Sequence, residues 1–393
     1  MALANVAALL AQMGRRVLVV DFDLEAPGLH RYFEQRGVRL DMPSASRGGG
    51  GLVEMFDAQR RGKSLDWRRC VAKIRWSAAT YGVDLILAGG GSSDYAELVQ
   101  SLNWDELFRR HEFGDYLCRL REEWRNEYDI VLVDSRTGMS DIGGICTILL
   151  PDALVMLFTA NEQSIDGTAE VVRRARTAQE TLPVERGRML AVPMLSRDDR
   201  RTEYEQSEEW RLKIADAMKD FFSDWVWAGV TSEAVLQKLY LPQIAYWSFG
   251  ERMPVIERPR ELEDPSSLGA AYRRLARLID GDFNWKVIET EEAVPDKRSI
   301  LLEEETGRLQ RQMRRLIAVT LASLMAVLAM AGLLVFQLQR ERERQQQQQE
   351  QQRKEAFARE AAMQAESRRQ QQQLREAVER LNDTSRQRGG ARP

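Results

Sequence analysis

The chain has 393 residues, 44% of them hydrophobic and 30% charged, which is enough for one sizeable core plus an appendage, or for two domains. Its formal net charge is -3, and the arginines are interleaved with Asp and Glu almost throughout, so a solvated mixed-charge surface is expected and no nucleic-acid partner. Two histidines, His30 and His111, and three scattered cysteines, Cys70, Cys118 and Cys146, argue against a Ser-His-Asp triad, a histidine or C-x-x-C metal site and a disulfide framework.

In chain order, Met1 to Ala11 is apolar but lacks the basic start of a signal peptide, and Ala2 to Met13 reads as an amphipathic helix closed by Gly14. Val17 to Val20 is a continuous apolar run that ends in Asp21-Phe22-Asp23 and a Pro27-Gly28 turn. This pattern predicts a buried parallel strand delivering two carboxylates to the C-terminal edge of a sheet, where nucleotides and Mg2+ bind in α/β folds. A nucleotide-binding fold normally opens with a strand and a glycine-rich phosphate loop, and here only the helix precedes the run. Four further apolar runs suit buried strands: Val83 to Leu87, Ile130 to Val133, Ala153 to Phe158 and Met189 to Val192. Helix-length segments between most of them, including Leu102 to Trp124 and Gly167 to Thr181, predict an α/β, doubly wound, mostly parallel sheet with flanking helices.

Two glycine clusters lie in this region. Ser44 to Gly51 has no Lys-Ser/Thr after its glycines and reads as a surface loop, whereas Gly89-Gly90-Gly91 follows a strand and could approach a ligand by its backbone. Trp210, Phe221, Phe222, Trp225 and Trp227 lie between Tyr204 and Tyr240 without a lysine cluster, which predicts core rather than a base-stacking platform. The globular domain is expected to span residues 1–281, with a polar linker at 282–315.

Leu316 to Leu338 is 23 residues without a charge, flanked by Arg311, Arg314 and Arg315 and by Arg340, Arg342 and Arg344. As a helix it spans roughly 34 Å, against a bilayer hydrocarbon core of about 30 Å, so residues 316–338 are expected to cross a membrane. The flanking charges are nearly balanced and do not orient it. A large N-terminal domain without an export signal points to a single-pass protein of the inner (cytoplasmic) membrane with that domain in the cytoplasm. Residues 339–393 are rich in Gln, Glu and Arg and read as a helical or disordered tail, in which Leu374, Val378 and Leu381 offer a short seam for self-association.

The stretch LANVAALLAQMGRRVLVVDFDLEAPGL resembles the segment that follows the deviant Walker A loop in ParA/MinD-type ATPases, particularly a variant group whose loop reads K-G-G-V-G-R-[ST]. EYDIVLVDSRTGMSDIGG, Glu127 to Gly144, is similar to the family's Walker B strand and switch II, and Phe249 to Ile279 resembles its closing loop and last helix. The resemblance covers about the first 280 residues. It implies a P-loop ATPase in which Asp23 orients the attacking water, Asp21 is the first Asp of the same D-x-D, Asp134 holds Mg2+ through water, and the N-H of Gly138 faces the γ-phosphate. DSRTGMSD replaces the usual D-x-P-P-G, and Ser196-Arg197 stands where the family often places an adenine-reading Asn, which leaves ATP against GTP open.

The family's phosphate loop has no counterpart in the sequence. In that sheet order the strand before it is central, and its loss forfeits on the order of 10 kcal/mol of apolar burial and leaves two unpaired edges inside the sheet. The expectation is therefore that Met1 is a misplaced start and that a strand and loop lie upstream. With them, the chain reads as a membrane-anchored nucleotide-dependent switch that uses ATP and Mg2+, hydrolyses slowly, dimerises with nucleotide and acts through an unidentified protein partner. The alternative is a non-catalytic membrane scaffold that keeps the fold and does not bind nucleotide.

Overall fold

The computed structural model describes residues 1–43, 49–90, 94–135, 144–181, 187–290 and 297–387. The chain separates into two units, Met1–Ile300 and Leu301–Pro393.

The first unit is built on two sheets. One holds β1 (Val17–Asp21), β2 (Val38–Asp41), β3 (Val71–Trp76), β4 (Val83–Ile86) and β5 (Ile130–Asp134) in the order β2-β3-β4-β1-β5. β1 lies parallel to both β4 and β5, as continuous apolar runs buried on both faces require. β2 and β3 are antiparallel additions that apolar runs do not reveal, because β3 carries Lys73 and Arg75. Both cations reach Asp84 of β4: Lys73 Nζ lies 2.5 Å from one carboxylate oxygen and Arg75 3.2 Å from the other, and the Tyr128 hydroxyl donates to Asp84 at 2.8 Å. A charge in a buried strand is thus compensated by the strand beside it.

The second sheet is parallel, with β6 (Ala153–Phe158), β7 (Leu190–Asp198) and β8 (Tyr240–Pro242) in that order. The two sheets do not join. Among the described residues β5 pairs only with β1 and β6 only with β7, so each presents an open edge although its run is apolar. The consequence is visible in exposure: all five residues of β1 are buried, all five of β5 are partly exposed, and Leu157 of β6 is 44% exposed. Edge strands normally carry charges or prolines that blunt such an edge.

Helices cover the sheets on both faces. α1 (Ala2–Gln12) is closed by Gly14, whose positive φ of 87° suits glycine, and packs with helix Leu268–Asp280 into the larger core, which takes in β6 and β7. The opposite core forms around α2 (Leu52–Arg60), α4 (Trp104–Arg110) and α5 (Phe113–Glu127), where Phe56, Phe113, Trp67 and Trp124 meet at tilted or edge-on angles. Between α2 and α4 lies the short α3 (Tyr95–Ser101). The aromatics after Tyr204 divide as follows: Phe221 and Phe222 are buried, while Trp227 is 52% exposed. Trp285 and Ile288, beyond Gly281, are also buried in the larger core.

The second unit is almost entirely one continuous helix, Lys297–Gln387, whose first residues belong to the globular unit by position in the chain. Leu316 to Leu338 falls within it, and its apolar side chains stand more than half exposed, with no protein to cover them. Among the described residues this is the one helix long and apolar enough to cross a membrane.

Candidate functional site

β1 and β5 are in register, Val20 beside Val133 and Asp21 beside Asp134, so the parallel pairing brings two carboxylates to the same sheet edge. The backbone closes this end: Phe22 N-H donates to the Asp134 carbonyl at 3.1 Å. Asp21 is 1% exposed. One of its oxygens accepts from Leu29 N-H at 3.3 Å, and the other is buried without a hydrogen-bond partner. Burial pushes its carboxyl up to about 6; the Leu29 amide opposes this and the charge of Asp134 adds to it. Asp134 is also held above the ordinary carboxylate range, first by burial, with the Met1 amino group opposing and Asp23 adding.

Asp23 is two residues on and half-buried. Its Oδ1 accepts from Ala26 N-H at 3.3 Å, forming an Asx turn that begins the Pro27-Gly28 reversal. The structure therefore gathers Asp21, Asp23 and Asp134 at one edge, as the β-strand reading of the sequence requires. Gly138 lies outside the described residues.

The next strand end adds residues that sequence reasoning missed. β4 is parallel to β1, and its exit carries Gly89 and Gly90 past the same edge. Glu54 of α2 accepts from Gly51 N-H at 2.7 Å and from Gly90 N-H at 3.0 Å, tying the two glycine loops together. The backbones are nearly in contact: a Cβ on Gly51 would lie 2.6 Å from Gly89 N, and one on Gly90 would lie 2.8 Å from Gly50 Cα. The first two amides of α2 are also taken, Leu52 N-H by the Leu87 carbonyl and Val53 N-H by that of Ala88. These glycines serve close backbone packing, and the four amides named here are bonded to the chain itself rather than available to a phosphate. Tyr95 covers Gly89 with its ring and donates its hydroxyl to the Leu24 carbonyl at 2.7 Å. Nothing in the local sequence around Glu54 or Tyr95 marks these roles, because their partners are some 35 to 70 positions away.

A third loop approaches from β8. Gln35 Nε2 donates to the Glu251 carbonyl at 2.6 Å, and the Tyr32 phenol, raised by burial, is raised further by both Glu251 and Asp134. Arg252 and Arg258 lie 4.7 and 4.3 Å from the centre of the Tyr246 ring in this loop, and Phe249 at its tip is 75% exposed.

Chemically, two buried carboxylates side by side need either a shared proton or a cation. The unpartnered oxygen of Asp21 fits a water molecule of a hydrated divalent ion. Among the described residues, no group of three or more His, Cys, Asp or Glu side chains is placed to ligate a metal directly. The arrangement therefore suits a cation held through water or by a ligand's own oxygens. In the two glycine loops, the Gly51 and Gly90 amides are both taken by Glu54 rather than left free for a phosphate.

No protein-family model and no curated protein matches the chain. Among solved structures, the septum site-determining protein MinD of Pyrococcus horikoshii, complexed with Mg-ADP, aligns with TM-score 0.46 and 15% identity over 74% of this chain and 93% of its own. Cobyrinic acid a,c-diamide synthase of Mycobacterium smegmatis, with bound ADP and magnesium, aligns at 0.45 and 17% over 75% and 91%. The MinC:MinD complex of Aquifex aeolicus aligns at 0.42 and 14% over 75% and 91%. At such scores and identities these likenesses carry no weight in assigning chemistry to Asp21, Asp23 or Asp134.

Proposed function

We propose that the first unit is a nucleotide-dependent switch anchored to a membrane by the helix at 316–338, which binds a nucleoside triphosphate with Mg2+ and acts through a protein partner. The observation that carries this reading is the pair Asp21 and Asp134, buried at adjacent parallel strand ends with one oxygen unpartnered. Phosphoryl transfer needs charge neutralisation and positioning rather than covalent chemistry, and strand-end carboxylates supply the metal and water sites. Asp134 and Asp21 would hold Mg2+ through water, and Asp23 would orient the attacking water. Gly138 contributes its amide toward the γ-phosphate. ATP is the expected nucleotide, and a nucleotide-dependent homodimer the expected active form. When bound, the ion neutralises phosphate charge and fixes the reacting oxygens; the chain's own residues hold it and exclude bulk water.

A second reading is favoured by one observation. The amides of Gly51, Leu52, Val53 and Gly90 are already bonded within the chain, as a membrane scaffold that retains the fold without binding nucleotide would allow. Thermal unfolding of the detergent-solubilised chain separates the two. A switch is stabilised by Mg2+ with nucleotide, by about 2.7 kcal/mol at a hundredfold excess over Kd, and the effect disappears in Asp134→Ala. An unfolding midpoint indifferent to nucleotide and Mg2+ would establish the scaffold.

A further inference from the structure

We infer that Tyr95 is a positioning residue for Asp23: its hydroxyl latches the turn that follows β1 to the loop that follows β4, and so fixes where the Asp23 carboxylate stands at the strand edge. This rests on the switch reading above for its role in turnover, though not for the latch itself.

The geometry is specific. In the turn that carries Asp23, the Leu24 side chain is buried and its carbonyl accepts from the Tyr95 hydroxyl at 2.7 Å. Within the turn, Leu24 N-H donates to the Phe22 carbonyl at 3.0 Å and Ala26 N-H to Asp23 Oδ1 at 3.3 Å. The other end of the latch is rigid. The Tyr95 ring lies so close over Gly89 that a Cβ there would sit 2.3 Å from two ring carbons, and Gly90 beside it is fixed by Glu54.

Electrostatics place the same hydroxyl among the site's acids. Burial raises the Tyr95 phenol, and Asp21, Glu54 and Asp23, in that order, raise it further, so it remains a neutral donor at every physiological pH. A donor that cannot ionise suits a permanent tie rather than proton transfer.

The test uses the detergent-solubilised full chain and compares wild type with Tyr95→Phe, which keeps the ring over Gly89, and with Tyr95→Ala as a second variant. Backbone hydrogen exchange should quicken at Leu24 to Leu29 in Tyr95→Phe while protection of β1 and β4 is unchanged. Hydrolysis should fall about tenfold with Mg-nucleotide affinity within twofold, a split that simple loss of packing would not produce. Tyr95→Ala should add a loss of thermal stability. Unchanged exchange in Tyr95→Phe overturns the latch. Quickened exchange with unchanged turnover overturns its positioning role. A wild-type chain that binds no Mg-nucleotide would overturn the switch reading instead, with the exchange result still deciding whether the latch exists.

Discussion

Asp21 and Asp134 stand opposite one another in register across β1 and β5, and both carboxyls are held above their ordinary range with burial as the first cause. Burial disfavours the charged form of each, and on the proposed reading one cation would relieve both. This predicts a pH dependence. The folded Asp21 holds its proton up to about pH 6 against an ordinary 3.8, so the folded state binds more protons in that window and stability falls as pH rises from about 4 to about 6. Above pH 6 the penalty is constant, at about 3 kcal/mol for a shift of this size. Asp21→Asn should therefore match wild type near pH 4 and exceed it in stability at pH 7. Denaturant titrations at both pH values check this, and equal stability at pH 7 would remove the burial penalty from the account. Stabilisation by Mg2+ should be larger at pH 7.5 than at pH 5.

Asp23 and Asp134 should separate by phenotype. With the upstream phosphate loop restored, Asp23→Ala is expected to abolish hydrolysis while leaving nucleotide affinity within about tenfold, because water positioning is lost and phosphate contacts are not. Asp134→Ala should weaken Mg2+-dependent binding itself. Calorimetry with and without Mg2+ distinguishes the two, and unchanged turnover in Asp23→Ala would take that residue out of the mechanism.

The boundary of the globular unit has a stability consequence. Trp285 is 2% exposed and stands 6.1 Å from the Trp225 ring, and Ile288 is fully buried. A chain ended at Thr290 should be soluble and released from membranes. One ended at Asp282 should be less stable by several kcal/mol, since Trp→Ala alone in a core costs about 3 to 5 kcal/mol. Chemical denaturation of the two measures the difference.

The open edges of β5 and β6 should be adhesive, because apolar strands with unpaired amides template further pairing. Leu157→Lys places a charge on the exposed face of β6 and should reduce concentration-dependent association while changing stability by less than about 0.5 kcal/mol. Sedimentation velocity over a concentration series reads this. Association unaffected by the substitution would place the sticky surface elsewhere.

The helix at 316–338 should resist extraction by high salt, since its attachment is apolar rather than electrostatic. On the proposed topology, with the first unit in the cytoplasm, the tail from Arg340 onward would lie across the bilayer. Protease added to intact spheroplasts should digest the tail and spare the globular unit. Protection of both would require an interfacial helix and a cytoplasmic tail.

Much of this protein was legible from local pattern. Five of the six strands that pair in parallel are continuous apolar runs, which marks them as sheet strands, so Asp21 and Asp134 at the ends of two of them reach a sheet edge. The uncharged helix was legible for the same reason: its composition suits hydrocarbon in any context. β2 and β3 were not, because Lys73 and Arg75 are tolerable in a strand only when Asp84 of another strand is beside them, a partnership that no window of sequence contains. The same limit hid Glu54 and Tyr95, whose hydrogen bonds to Gly90 and Leu24 close loops far apart in the chain. Local composition decided which residues are buried and which ends carry charge. Only the tertiary structure decided which strand ends adjoin, which two strands carry the unpaired edges, and that the carboxylates at the edge stand in register with a tyrosine latch behind them. Those outcomes depend on long-range pairing, and no local free energy encodes it.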